Sequence, residues 1–125
     1  MTQEEEKNLL LKDLCARLPY GVKIQVPYED GSGYFDETVW EVNNEGPFYV
    51  NGWGIEYEYV KPYLFPLSSM TEEQKKEYQY ITERWMNDPA YSISDSIDWL
   101  NKHHFDYRGL IEKGLAIDAT GLNIY

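Results

Sequence analysis

The chain has 125 residues, 42% of them hydrophobic and 16% aromatic, which is enough apolar surface for one compact core and too little length for two ordinary domains. Twenty-two Asp and Glu against eleven Lys and Arg leave a net charge of −11, spread over both halves of the chain, and this argues against a polyanion such as nucleic acid as partner. A single cysteine excludes an internal disulfide and Cys-rich zinc frameworks, the acidic start is the opposite of a basic secretory leader, and no apolar run approaches the roughly 20 residues of a membrane span, so a cytoplasmic location is expected.

Thr2 followed by Glu5 has the spacing of a capping box, and Leu10, Leu11, Leu14, Cys15 and Leu18 recur behind it at helical period. A first helix is predicted from about Gln3 to Leu18, with Cys15 an inert buried thiol on its apolar face. Pro19-Tyr20-Gly21 ends it. Val22, Ile24 and Val26 then alternate with Lys23 and Gln25 as in a half-buried strand, and Glu29-Asp30-Gly31-Ser32-Gly33 supplies the following turn.

The next strand, from about Tyr34 to Val42, sets Phe35 and Val39 against Trp40 and Val42 across the pleat, which predicts burial on both faces or a bulge. Asn43-Asn44-Glu45-Gly46 reads as a turn, Phe48-Tyr49-Val50 as a short strand, and Asn51-Gly52 as a hairpin turn before Trp53. Ile55, Tyr57 and Tyr59 alternate with Glu56 and Glu58, which predicts a last strand with both glutamates on its solvent face. Short strands joined by tight turns make a small antiparallel sheet, either open and strongly bent or curled into an SH3-like barrel. The segment from Val60 to Leu67 contains Pro62 and Pro66 and is expected to cross the sheet or its rim in extended form, held by Tyr63, Leu64 and Phe65.

Thr71 with Gln74 forms a second capping box, and Tyr78, Ile81, Trp85 and Met86 line one face of a helix reaching Asn87. Asp88-Pro89 ends it, Ser94 or a near neighbour caps a short helix carrying Ile97, Trp99 and Leu100, and Asp106 caps another with Leu110 and Ile111, closed by Gly114. The fold class is therefore α+β in one domain over residues 1–125: a helix at about 3–18, a β-rich part at 20–67 and a helical part at 71–115.

Little in this order carries chemistry. In His103-His104-Phe105-Asp106 the two imidazoles are adjacent, and neighbouring helical side chains diverge by about 100°, so they cannot converge on one ion. Helix-end roles account for them, and neither metal nor cofactor is expected. Gly31-Ser32-Gly33 and Gly52-Trp53-Gly54 are turns rather than phosphate cradles, and Ser68-Ser69 lacks a nucleophile-elbow context, so no catalytic residue is assigned. The twelve tyrosines stand out more. Trp53, Tyr57, Tyr59 and Tyr63 concentrate around the predicted last strand beside Glu56 and Glu58, either as core rings of an aliphatic-poor barrel or as a binding face.

Three functional readings follow. The first is a non-enzymatic protein-interaction module that meets a partner's basic surface through Trp53, Glu56, Tyr57, Glu58, Tyr59 and Tyr63. The second is a small-barrel nucleic-acid binder stacking bases on Trp53, Tyr57 and Tyr59. The third is an enzyme of unrecognised type, which would need a deep polar cleft.

Three stretches carry a resemblance: Asn8 to Val22, Val60 to Glu73, and Ser96 to Ile111. They resemble uncharacterised small proteins of Bacteroides-type gut bacteria and their phages, over most of the chain apart from the turns and strands between Pro27 and Tyr59. The resemblance implies a phage or mobile-element context, a host or phage protein as partner, and cytoplasmic residence. It brings no activity and no catalytic residue. The resembled proteins often carry Arg at the position of Phe65, so the resemblance implies no polar role there in this chain.

Overall fold

The computed structural model describes residues 1–43, 49–87 and 93–125. Helix α1 (Gln3–Arg17) starts where Thr2 Oγ1 accepts the Glu5 N–H at 3.1 Å, and Glu4, Glu5 and Glu6 in its first turn complement the positive end of the helix dipole. A 3-10 turn at Leu18–Tyr20, with Pro19 near its start and Gly21 at φ 71°, ends the helical path. The face of α1 turned inward carries Leu10, Asp13, Leu14 and Arg17. Cys15 is exposed rather than buried, because the core face is centred one residue to the other side of the apolar stripe.

Strand β1 (Lys23–Pro27) pairs antiparallel with β2 (Tyr34–Thr38), Val26 opposite Phe35 and Ile24 opposite Glu37. β2 ends at Thr38, short of Val42. There Asn51 Oδ1 accepts the N–H groups of Trp40 and Glu41 at 2.8 and 3.2 Å, while its Nδ2 donates to the Thr38 carbonyl at 2.9 Å. The chain turns at that corner into a second, three-stranded sheet of β3 (Val42–Asn43), β4 (Tyr49–Val50) and β5 (Trp53–Gly54). Asn51 and Gly52 join β4 to β5 with φ of 52° and 82°, the two left-handed residues that a two-residue hairpin of type I′ requires.

The Pro-flanked segment is not a rim crossing. As β6 (Lys61–Pro66) it is the central strand of the main sheet, antiparallel to β1 and parallel to both β7 (Phe105–Asp106) and β8 (Ile117–Asp118). Pro62 and Pro66 share the parity of Leu64, whose carbonyl accepts from Ala119 on the β8 side, so their missing N–H groups fall away from β1 and β7. The sheet is thus mixed and open, and the fold is α+β without a closed barrel, since the β2-to-β3 corner divides the strands between two sheets.

The residues expected to form the last antiparallel strand take a 3-10 turn at Tyr57–Tyr59 instead. Helix α2 (Glu72–Asn87) begins with both arms of its capping box made, Thr71 Oγ1 accepting Gln74 N–H and Gln74 Oε1 accepting Thr71 N–H. It packs on α3 (Ile93–Lys102), which starts at Ile93 and leaves Ile97 exposed while burying Ser96, Trp99 and Leu100. The side chains of Trp85 and Met86 lie outside what the structure describes. Asp106 does bind backbone N–H groups, those of Leu110 and Ile111 at 2.9 Å each, but they belong to a turn and not to a helix. One apolar core joins α1, β1 and β6 through Leu10, Leu14, Val22, Ile24 and Leu64, and a second joins α3 to β7 through Trp99, Leu100 and Phe105.

Candidate binding groove

In the β1–β2 hairpin, the pairs Ile24–Glu37 and Val26–Phe35 point to one face, and this face is the wall of an open groove. Val50 and Gly54 from the second sheet and Ile55, Tyr59 and Val60 from the following segment form the other wall, around a volume of about 780 Å³. Its apolar lining includes Val50 and Val60, each nearly inaccessible, and a Tyr28–Phe35 ring pair at 5.1 Å. Tyr28 and Tyr59 are both about half exposed at its mouth.

Among the described residues, every charged one lining the groove is acidic: Glu29, Asp30 and Glu37. Asp30 accepts the Ser32 N–H at 2.9 Å, and hydrogen bonding from Ser32 holds its carboxyl below the ordinary range, so it stays negative at neutral pH. These three carboxylates, with no lysine or arginine lining the groove among the described residues, form a negative rim over an apolar floor. Such a site favours a ligand with an apolar body and positive flanks.

Of the five residues singled out from the sequence whose side chains are described, Tyr59 is the one that lines this groove. Glu56 and Glu58 are exposed as expected, but Glu56 precedes and Glu58 lies within a 3-10 turn, which separates Tyr57 from Tyr59 instead of aligning them. Tyr57 is buried and its hydroxyl donates to Glu6 at 2.8 Å; that bond raises the phenol pKa to about 12. Tyr57 and Glu58 line a separate hollow of about 200 Å³ with Glu6, Lys61 and Lys113. Tyr63 is a core residue whose hydroxyl donates to Asp36 and accepts from Gln25 Nε2 at 3.0 Å, and burial pushes its pKa up. The side chain of Trp53 lies outside the described residues.

The groove residues that sequence reasoning passes over are Tyr28, Glu29, Asp30, Phe35 and Glu37. The alternation of Phe35 and Glu37 with Tyr34, Asp36 and Thr38 holds the signal, since it sends the first two to one face of β2.

A buried polar cluster lies elsewhere, behind α1. Asp13 accepts Arg17 Nε and Arg108 Nη1, both at 2.9 Å, and Arg17 Nη2 donates to the Phe105 carbonyl at 2.6 Å. Arg17 Nη1 and His104 Nδ1 are buried and find no partner among the described residues. His104, at φ 62°, stacks on Tyr125 at 3.7 Å, and its pKa is pushed down to about 4, chiefly by burial and then by the positive charges of Arg17, His103 and Lys23. His103 instead packs against Trp99, ring centroids 4.4 Å apart and planes tilted by 42°. Among the described residues no group of three or more His, Cys, Asp or Glu converges as metal ligands would.

No helix among the described residues is long and apolar enough to cross a membrane. Comparison with protein-family models, with curated proteins and with solved structures finds no match.

Proposed function

We propose that this chain is a protein-interaction module that captures a partner segment whose apolar side chains are flanked by Lys or Arg. The observation that carries the reading is the groove between the β1–β2 hairpin and Val60: an apolar floor, two exposed tyrosines and three rim carboxylates, with no lining cation among the described residues. Tyrosine suits such a surface because its ring adds contact area and its hydroxyl stays hydrated. The net charge of −11 supports the same partner class at longer range, because it draws in a basic surface and slows approach of a polyanion. The mobile-element context that the resemblance implies makes the partner a host or phage protein.

A synthetic peptide alternating Lys and Ile, titrated into isotope-labelled protein, tests this reading. Resonances of Val26, Phe35, Tyr59 and Val60 should shift, and affinity should fall as salt rises. Tyr59→Ala and the double change Glu29→Lys/Glu37→Lys should each weaken binding, whereas Glu56→Lys/Glu58→Lys, outside the groove, should weaken it less. Folded protein that shows no shift at these residues with millimolar peptide removes the reading.

A further inference from the structure

We infer that the partner segment is held as an added β-strand along the outer edge of β2, an inference that rests on the proposed groove and specifies how its occupant is bound. β2 pairs with β1 on one side only, and no strand among the described residues lies on its other side. The hydrogen-bond phase of the hairpin fixes which backbone groups face outward. Tyr28 N–H bonds the Gly33 carbonyl and Val39 N–H bonds the Val22 carbonyl, both at 2.9 Å. In an antiparallel ladder with that phase, Phe35 and Glu37 exchange bonds with β1, while Tyr34, Asp36 and Thr38 direct N–H and C=O away from it. Asn51 Nδ2 takes the Thr38 carbonyl. The N–H and C=O of Tyr34 and Asp36 and the N–H of Thr38 remain without a partner among the described residues, a row of groups matching the reach of a short extended peptide.

The side chains on this edge choose the occupant. Phe35 and Glu37 point into the groove, and Tyr34, Asp36 and Thr38 are exposed on the other face. A strand added here places alternate side chains beside Phe35 on the groove side, where apolar groups are buried, and the others beside the exposed carboxylate of Asp36, where Lys or Arg fits. A second copy of the chain fits poorly: antiparallel pairing of two β2 edges about Asp36 sets the two Asp36 carboxylates opposite each other, and like charges directly opposed are destabilising. The occupant is therefore an extended segment with basic and apolar residues in alternation.

The test compares the alternating Lys and Ile peptide with two versions N-methylated at alternate amides, one set in each. Methylation leaves charge and side chains in place and removes the donors on one edge of the peptide. One methylated version should bind about tenfold more weakly or worse, from the loss of two or three edge hydrogen bonds, while the other binds like the parent. The Tyr34 and Asp36 amides should exchange with solvent more slowly in the parent complex. If both methylated versions bind as tightly as the parent and still shift the groove resonances, the added strand is wrong and the groove reading stands. If no peptide shifts those resonances, the groove reading fails and the strand with it. Concentration-dependent dimerisation that protects the Tyr34 and Asp36 amides without any peptide would assign the edge to a second copy and overturn the inference.

Discussion

Lys23 and Tyr63 occupy the register position next to the Ile24–Pro62 pair, and the hydroxyl of Tyr125 bridges them, accepting the Lys23 N–H at 2.9 Å and donating to the Tyr63 carbonyl at 2.8 Å. A side chain thus completes the β1–β6 ladder at its splayed end. Although Tyr125 exposes 43% of its surface, the hydroxyl tip is enclosed between the strands, and burial pushes its pKa up to about 12. Lys23 Nζ adds a bond to the Ile124 carbonyl at 2.8 Å.

Tyr125→Phe keeps the ring on His104 but leaves both backbone groups without this partner. The expected cost is about 1 to 3 kcal/mol, the range for an unsatisfied buried polar group. Urea denaturation measures it, and hydrogen exchange should show faster exchange of the Lys23 amide. An unchanged midpoint with an equally protected amide would show that the strands close on each other without the hydroxyl.

Stability should also depend on pH through this residue. Its folded-state pKa lies above the ordinary 10.0, so the neutral phenol stabilises the fold fully below about pH 10 and that contribution is lost as pH rises through about 12. Tyr57, raised to about 12 by its bond to Glu6, acts in the same direction. Ultraviolet titration of the tyrosinates should give an alkaline component coincident with unfolding, and Tyr125→Phe should shrink it.

The acid side has the opposite sign. His104 is held near 4 against an ordinary 6.5, so its neutral form contributes stability above pH 6.5 that disappears as pH falls through about 4. His104→Asn tolerates the left-handed backbone at φ 62° and removes the titrating ring. Its midpoint should fall less steeply than that of the parent between those pH values, measured by thermal unfolding across the interval. Equal slopes would place the acid sensitivity in the carboxylates.

Asp13 holds two arginines, and Arg17 is fully buried. Asp13→Ala should cost about 3 to 5 kcal/mol, because a guanidinium is left buried without its counter-charge. The double variant Asp13→Leu/Arg17→Met removes both charges and should recover much of the loss. Chemical denaturation of the three proteins checks this, and a double variant no more stable than Asp13→Ala would mean that Arg17 contributes mainly through the Phe105 carbonyl.

Asn51→Ala should destabilise by about 2 to 3 kcal/mol, because three side-chain hydrogen bonds at the β2 corner are lost and a left-handed position receives a residue that resists it. Asn51→Gly separates the two effects, since it relieves the backbone and still loses the bonds. A loss shared equally by both variants would assign the whole effect to the side chain.

Much of the local architecture is legible in the amino-acid order. Helical period and capping boxes place α1 and α2, alternation places β1, Asn51-Gly52 places the β4–β5 hairpin, and Leu14 and Trp99 are buried from their helical faces. Each of these depends on residues a few positions apart, where steric preference and hydrogen bonding act without the rest of the chain. The helices, the hairpins and the α+β class follow from such short-range patterns alone. The role of the proline-flanked segment as central strand does not, because two-residue strands such as β7 and β8 carry no period of their own and exist by pairing with β6. Long-range packing likewise turns Tyr57 inward to Glu6 while Tyr59 stays at the groove, a 3-10 turn replacing the strand that alternation predicts. The groove itself joins β1 and β2 to Val50 and Val60. Its rim exists only because the β1–β2 register and the Asn51 corner set which side of the hairpin faces the second sheet, and register across distant segments is a property of the folded chain.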